Sequence, residues 1–543
     1  MNIEIQDKAV QAVEALRQQQ FVDAIELSNS VLEIEPQHTS AHAVKFSALF
    51  KAGRFEEARR IGSRAAELNP NSLFILNNQA CLQLDANQPA AAAGLLRSLI
   101  KQFGERGQWL YNLALAHRLA GNEQNAIKVF ERTLDIKANH DRAAFQLADC
   151  LLINGRLDEA VLAFSRVRLL RHTHAASHAQ YIHHAVSNRA LNKADLKLEL
   201  AYWRERFIPK HESYPKSSIA TDGPITMAFS IGAVPEHWLS ECIAATINRL
   251  ANRLDEVIVY WQNEVPTEQL FDEQVNVVQA AYMDDAQFAK KVRGDKVSAL
   301  VDICGLRRGT RQRALGLQIA SIQYGWMAHE GSYASDNVQL IEDHLYGVPL
   351  CLANTKTVEK KALAWPQKTL AAKGTHQGVS SRVIRTWATI LHSLNDWNLH
   401  LDCQNSRVQK TISQQFKNLG VDKQRLLFTS QIGIDPGTIV LDNYINNDPI
   451  AITQALRNGG LITAIDGDLF PAQRTAKLLS YFHRQHWLVK TPFEYLRQVV
   501  DLANSALNAD QFEPISESQW QQSNIDSIDD FCDDFRAAIL SRQ

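Results

Sequence analysis

"LYNLALAHRLAGNEQNAIKVFERTLDIKANH", residues 110–140, decides half of the fold. Apolar residues recur at helical spacing on both sides of Gly121 and Asn122, so the stretch reads as two amphipathic helices joined by a tight turn. Its landmarks return through the chain every 34 residues. Ala24, Ala58, Ala92, Ala126 and Ala160 stand where two helices approach closely, and Gly53, Asn87, Gly121 and Gly155 mark the turn before them. Pro36, Pro70, Gly104 and Ala138 share a third phase, at the end of each unit.

A helical hairpin with that period is the tetratricopeptide pattern, and five units in phase predict an α-solenoid over residues 1–172. Such solenoids bury their apolar faces against their neighbours and leave a concave surface for partners. Asn78, Asn112 and Gln146 share one repeat phase, where an apolar helix needs no amide; Val44 interrupts the row. A row of amides can hydrogen-bond the backbone of an extended peptide without reading its side chains. The expected acceptor-binding residues are therefore Asn78, Asn112 and Gln146, and the expected partner is a protein or peptide.

At 543 residues the chain is long enough for two to four domains. Fifty-seven basic against 59 acidic residues leave a net charge of -2, which disfavours a nucleic-acid partner. The 7 cysteines are scattered, with no pair at metal or redox spacing, and read as thiols of a reducing compartment. The start "MNIEIQDKAV" lacks the pattern of a secretory signal, and no apolar run approaches the roughly 20 residues of a membrane span. A cytoplasmic protein is expected.

The repeat fades after His172 into helical sequence ending in "LELAYWRERFIPK", and "HESYPKSSIATDGP" reads as a linker, so 173–222 is expected to connect two halves. "ITMAFSIGA", "EVIVYW", "VSALVDICG" and "ASIQYGW" then alternate with helical sequence. From about residue 376 a second set begins, with "NLHLDC", "RLLFTS", "GTIVLDN" and "LITAID" as its strands. Alternation in two blocks predicts two doubly wound Rossmann-type lobes, 223–375 and 376–543, with ligand crevices outside the carboxyl ends of their strands. No G-x-G-x-x-G, Walker or G-x-S-x-G sequence is present. The 18 histidines form no convincing ligand set, so neither a metal nor a resident cofactor is expected. The acidic tail reads as a short amphipathic helix from Ser527 onward, with packing as its expected role.

Residues 302–332 resemble a segment of the O-GlcNAc transferase family, on the pattern Asp302, Gly305, Arg311, Ala320, Ile322, Gln323, Trp326 and Gly331. "LELAYWRERF", "VSSRVIRTWATIL", "VLDNYINNDPIAITQALRNGGLITAIDG" and Arg474 in "DLFPAQRTAKLL" extend the resemblance over nearly the whole chain. It implies a repeat solenoid followed by a GT-B pair of Rossmann-like lobes. The implied activity is transfer of a sugar from a nucleotide-sugar donor to an acceptor protein, with flagellin or another surface protein as a plausible setting. The implied donor-binding residues are Arg311, Gln323, Asn447, Thr453 and Arg474, and the candidate catalytic residues are His237, His376 and Lys373.

The chain departs from that pattern where the chemistry is committed. The family's His-Pro is Val234-Pro235, with His237 further on; its His-Thr-Thr donor-phosphate cluster is Pro449, Ile450 and Ala451; the carboxylate that follows is Gln454. Its lysine before the "VSSRVIRTW" helix is Gly378, with Lys373 and His376 nearby, and its Arg-Pro before Ala320 is Gln318-Ile319. Glycosyl transfer needs positive charge or aligned donors at the leaving phosphate, and Pro449 and Asp448 weaken the helix N-terminus that would supply them. Three readings stand: a transferase with a changed donor, such as one carrying a single phosphate; a catalytically inactive scaffold of the same fold; and a plain repeat adaptor.

Overall fold

The computed structural model describes residues 2–209, 225–263, 270–327, 333–340, 368–375, 378–429, 432–434, 437–445, 448–467, 470–505, 515–523 and 527–540. The chain divides into two compact units, Met1–Leu151 and Leu152–Gln543.

Twelve helices open the chain, from Asn2–Arg17 to Lys193–Phe207, in six hairpins rather than the expected five. The alanine row explains how each hairpin closes. Ala24, Ala58, Ala92, Ala126 and Ala160 are completely buried, because only a methyl group fits where the paired helices come closest. The turn phase explains how each hairpin reverses: Gln19, Gly53, Asn87, Gly121, Gly155 and Arg189 all have positive φ, between 52° and 75°. Arg189 continues the 34-residue phase past the point where the sequence pattern fades. The sixth hairpin, Ala175–Ser187 with Lys193–Phe207, carries the buried Trp203 and Phe207, which pack with Leu306 and Ala334 of the following α/β region. The segment expected to be a connector is therefore largely a packed repeat.

The second unit contains two six-stranded sheets, all parallel. The first comprises β1 Thr226–Ile231, β2 Glu256–Trp261, β3 Val275–Gln279, β4 Ala299–Asp302, β5 Ile322–Gly325 and β6 Gln339–Leu340. The second comprises β7 Thr369–Ala372, β8 Asn398–Asp402, β9 Leu426–Thr429, β10 Ile439–Leu441, β11 Leu461–Ile465 and β12 Leu488–Val489. Their orders, β3-β2-β1-β4-β5-β6 and β12-β11-β10-β7-β8-β9, are one Rossmann topology written in two directions. Helices cover both faces, so the central strands are apolar throughout, as in "TMAFSI" and "LITAI". The expected fold class, a solenoid followed by a GT-B-like pair of Rossmann-type lobes, is the observed one.

Two boundaries differ from expectation. β7 lies before residue 376 yet pairs with both β8 and β10 at the centre of the second sheet. Its "TLAA" is too short and too alanine-rich to register as a strand in the sequence. The last helix, Ile528–Leu540, belongs to the first lobe although it ends the chain. Phe535 lies 5.0 Å from the Trp326 ring and 6.3 Å from Phe229, and Tyr324 donates a hydrogen bond to the Ala538 carbonyl at 3.2 Å. Arg249 and Arg253 pair with Asp529, and Arg253 also reaches Asp533. Among the described residues no helix is long and apolar enough to cross a membrane, and no cluster of His, Cys, Asp and Glu could hold a metal ion.

Because Phe535 is fully buried, Phe535→Ala should cost roughly 3–5 kcal/mol in urea unfolding. A variant as stable as the parent would mean that the tail helix does not dock on the first sheet.

Candidate functional site

Each sheet changes direction once, between β1 and β4 in the first and between β7 and β10 in the second. Loops leaving those strand ends part there and leave room for a ligand. From β1 the chain runs through Gly232–Pro235 into the helical turn Glu236–Trp238; from β7 it runs into Lys373, Gly374 and Thr375. From β10 it passes Tyr444 and Asp448 into the helix Pro449–Arg457.

These loops meet at Trp238. Its indole N–H donates to Asp448 Oδ1 at 3.2 Å, joining the first lobe to the second. The guanidinium carbons of Arg307 and Arg474 each lie 5.2 Å from its ring centroid, within cation–π range. Arg307 follows β4, and Arg474 lies in the helix Phe470–Tyr481 after β11, so two cations from different lobes converge on one ring. Asp448 is the carboxylate seen beside them. It also caps its own helix, accepting from the Ala451 amide at 3.2 Å.

That capping decides what the helix N-terminus can do. Pro449 has no amide hydrogen, and the Ala451 amide is taken by Asp448, so two of the donors that would hold a diphosphate are lost. Beside it, Lys373 Nζ reaches Gln454 Oε1 at 3.5 Å. A Cβ at Gly374, which has φ +75°, would stand 2.9 Å from the Asp448 Cβ, so the β7 loop touches Asp448 directly. Asp402, at the end of β8, fixes that loop by accepting from the Gly374 and Thr375 amides at 2.9 Å each. Gly378 could not be the family's lysine here. At φ +100°, its Cβ would lie 2.9 Å from the Cα and carbonyl oxygen of Gly155.

The sequence-derived candidates thus separate. Lys373 and Arg474 lie on loops and helices around Asp448 and Trp238. His237 is on the same helical turn as Trp238, but its side chain lies outside the described residues, as do His376 and Asn447. Thr453 is fully buried and its hydroxyl donates to the Pro449 carbonyl at 2.7 Å. Arg311 donates to Gln262 Oε1 at 2.7 and 2.9 Å and to the Ala280 and Met283 carbonyls, which ties the loops after β2 and β3 together. Gln323 is similarly held by the Ile319 amide and the Leu315 carbonyl. Trp238, Arg307 and Asp402 escaped the sequence reading. A tryptophan two residues after a strand-ending turn, and an aspartate closing "NLHLD", were the available signals.

Asp302 ends β4 at the first switch point, accepting from the Gly305 amide at 2.7 Å and the Tyr333 hydroxyl at 3.1 Å. Burial pushes its carboxyl up to about 6, and those hydrogen bonds only partly oppose the shift.

In the solenoid the amide row is partly self-satisfied. Asn112 Nδ2 donates to Asn77 Oδ1 at 3.0 Å, and its Oδ1 accepts from Gln108 at 3.2 Å. The buried Asn78 Nδ2 and Gln146 Oε1 have no hydrogen-bond partner among the described residues.

Residues 15–74 and 117–180 match one family model described as tetratricopeptide repeat, and residues 77–141 match a second. No curated protein matches the chain in sequence. Among solved structures, an O-GlcNAc transferase variant from Thermobaculum terrenum superposes with a TM-score of 0.64 at 16% identity, over 86% of this chain and 98% of that one. The two proteins share a fold across solenoid and both lobes. MamA from Desulfovibrio magneticus RS-1 aligns over 31% of this chain and 95% of its own, at 15% identity and a TM-score of 0.29. PilF of Pseudomonas aeruginosa aligns over 34% and 84%, at 19% identity and 0.30.

Two outcomes are expected. Gly378→Lys should lower stability by at least about 2 kcal/mol, from a left-handed backbone and a backbone clash together, and should create no phosphate site; a stable, nucleotide-binding variant would contradict the contact with Gly155. The second concerns pH. The folded pKa of Asp302 is raised above its unfolded value, so its contribution is present at pH 4 and lost as pH rises through about 6. The stability difference between Asp302→Asn and the parent should therefore move in favour of the variant between pH 4 and pH 8, by up to roughly 3 kcal/mol. A difference that stays constant with pH would show that Asp302 ionises normally.

Proposed function

We propose that the protein is a protein glycosyltransferase: the solenoid holds an extended segment of an acceptor protein, and the crevice around Trp238 binds a nucleotide-sugar donor that carries a single phosphate. The observation that supports this reading is the convergence of Arg307 and Arg474 on the Trp238 ring at the strand ends of two Rossmann lobes. Two guanidinium groups at one ring, with the helix N-terminus beside them already capped by Asp448, suit one anionic group better than a diphosphate. A leaving phosphate there would be stabilised by Arg474 and Arg307, with Lys373 at the neighbouring loop and His237 the nearest candidate base in sequence. The shared repeat phase of Asn78, Asn112 and Gln146 supports backbone recognition of the acceptor.

A second reading has its own support. Asp448 caps the helix that a donor phosphate would use, and Trp238 bonds to Asp448 from the opposite lobe. A cleft occupied by its own carboxylate and indole suits a scaffold that retains the fold without the reaction.

Thermal unfolding with CMP, UDP, GDP and their sugar conjugates separates the two readings, because a ligand that binds only the folded state stabilises it, by about 2.7 kcal/mol at a hundredfold excess over Kd. The transferase reading expects a shift with a monophosphate-linked donor and none with UDP or GDP sugars. Arg474→Ala should abolish that shift and cost about 1 kcal/mol of stability through the lost cation–π contact. A folded protein that responds to none of these nucleotides would leave the scaffold reading in place. For the acceptor, Asn78→Ala with Asn112→Ala should weaken partner binding about tenfold and leave the nucleotide response unchanged.

A further inference from the structure

A second cationic site lies outside the Trp238 crevice. A cavity of about 330 Å³ is walled by Arg189, Arg382, Arg385 and Tyr444, with Ile445 and Pro492 as its apolar side. Arg189 comes from the turn of the sixth hairpin, whereas Arg382 and Arg385 stand on the first turns of the helix Ser381–Ser393. None of Trp238, Asp448 and Arg474 borders it.

The charge of this cavity is one-sided. No carboxylate lines it, and among the described residues neither Arg382 nor Arg385 is paired with one. The Tyr444 hydroxyl shares a 2.9 Å hydrogen bond with Thr386 Oγ1. Burial pushes the Tyr444 phenol up against the pull of all three guanidinium groups, so it remains a neutral donor and supplies no counter-charge. Arg189 occupies the left-handed position that the other repeats mostly fill with glycine or asparagine, at φ 52°. Local backbone sterics give no reason for an arginine there. Two guanidinium groups without a carboxylate partner among the described residues, Arg382 and Arg385, at one hollow call for an anion.

The chemistry of the lining narrows the choice. Guanidinium forks match the oxygens of a phosphate, and the two of Arg382 and Arg385 exceed the charge that one carboxylate neutralises. The volume is that of a small-molecule site rather than of a bare ion, and Ile445 and Pro492 offer a surface to an uncharged remainder. The net charge of -2 and the confinement of these cations to one cavity argue against a nucleic-acid track. We propose that this cavity is a binding site for a phosphate-bearing small molecule, with the phosphate held by Arg382 and Arg385 and with Arg189 in the surrounding wall. The assignment does not depend on the transferase reading.

Calorimetric titration of the full chain with inorganic phosphate and pyrophosphate, at ionic strength balanced with NaCl, tests it. Saturable binding is expected, tighter for pyrophosphate. Arg382 and Arg385 are exposed, so R382Q with R385Q should fold normally, verified by an unchanged unfolding midpoint. That variant should bind pyrophosphate about a hundredfold more weakly, taking about tenfold for each charged hydrogen-bonding group. Repeating the titration in the Arg474→Ala background removes the donor crevice's contribution, so binding that remains there and is lost on adding R382Q and R385Q belongs to this site. A hexose phosphate that binds more tightly than inorganic phosphate would assign the apolar wall to the ligand, and equal affinities would assign the site to free phosphate. Absence of saturable binding in the parent, or equal affinity in parent and double variant, would overturn the proposal.

Discussion

The indole of Trp238 is where the two sheets meet. Its ring belongs to the large apolar cluster that runs through both lobes, and its one polar atom is used on Asp448 of the opposite lobe. A buried indole N–H without a partner would cost stability, so the bond fixes the loop after β1 against the helix after β10. Among the described residues, the side chains and loops of the crevice are arranged about that contact: Arg307 and Arg474 on the ring, and Lys373 and Gly374 beside Asp448 and its helix.

The consequence for the crevice is a different set of side chains from the one the resemblance implies. Where the resemblance implies hydroxyls and a histidine at a helix N-terminus, this chain places proline, a buried isoleucine and an internally capped amide. Where it implies a lysine, a glycine lies against Gly155, with no room for a side chain. Positive charge is instead delivered by arginines, from the loop after β4, from the helix after β11 and, in a separate cavity, from the sixth hairpin and the first helix of the second lobe. Arginine keeps its charge even when desolvated, which makes it the side chain suited to positions such as those of Arg307 and Arg474.

Not every cation near the strand ends is available to a ligand. Arg311 fits the family pattern in sequence, yet its guanidinium is divided among Gln262, Ala280 and Met283. Thr453 likewise spends its hydroxyl on its own helix. Both positions were reasonable from residue type alone. Burial and hydrogen bonding separate a residue that shapes the site from one that faces it, and neither is visible along the chain.

The solenoid was determined by the sequence itself, because its contacts are local: an alanine every 34 residues is needed wherever two adjacent helices touch, and a glycine or asparagine wherever the hairpin reverses. The same locality made the two strand-helix alternations readable, and with them the class of each lobe. It failed at "TLAA", at the sixth hairpin and at the tail helix, whose identities rest on neighbours far away in the chain: β10 for β7, Leu306 for Trp203, and Trp326 for Phe535. The site depends on such distant pairs still more. Trp238 with Asp448, Gly155 with Gly378 and Arg189 with Arg382 are each separated by about two hundred residues. Only close packing in three dimensions, where two atoms cannot share one volume and a buried donor must find an acceptor, decided which of them meet.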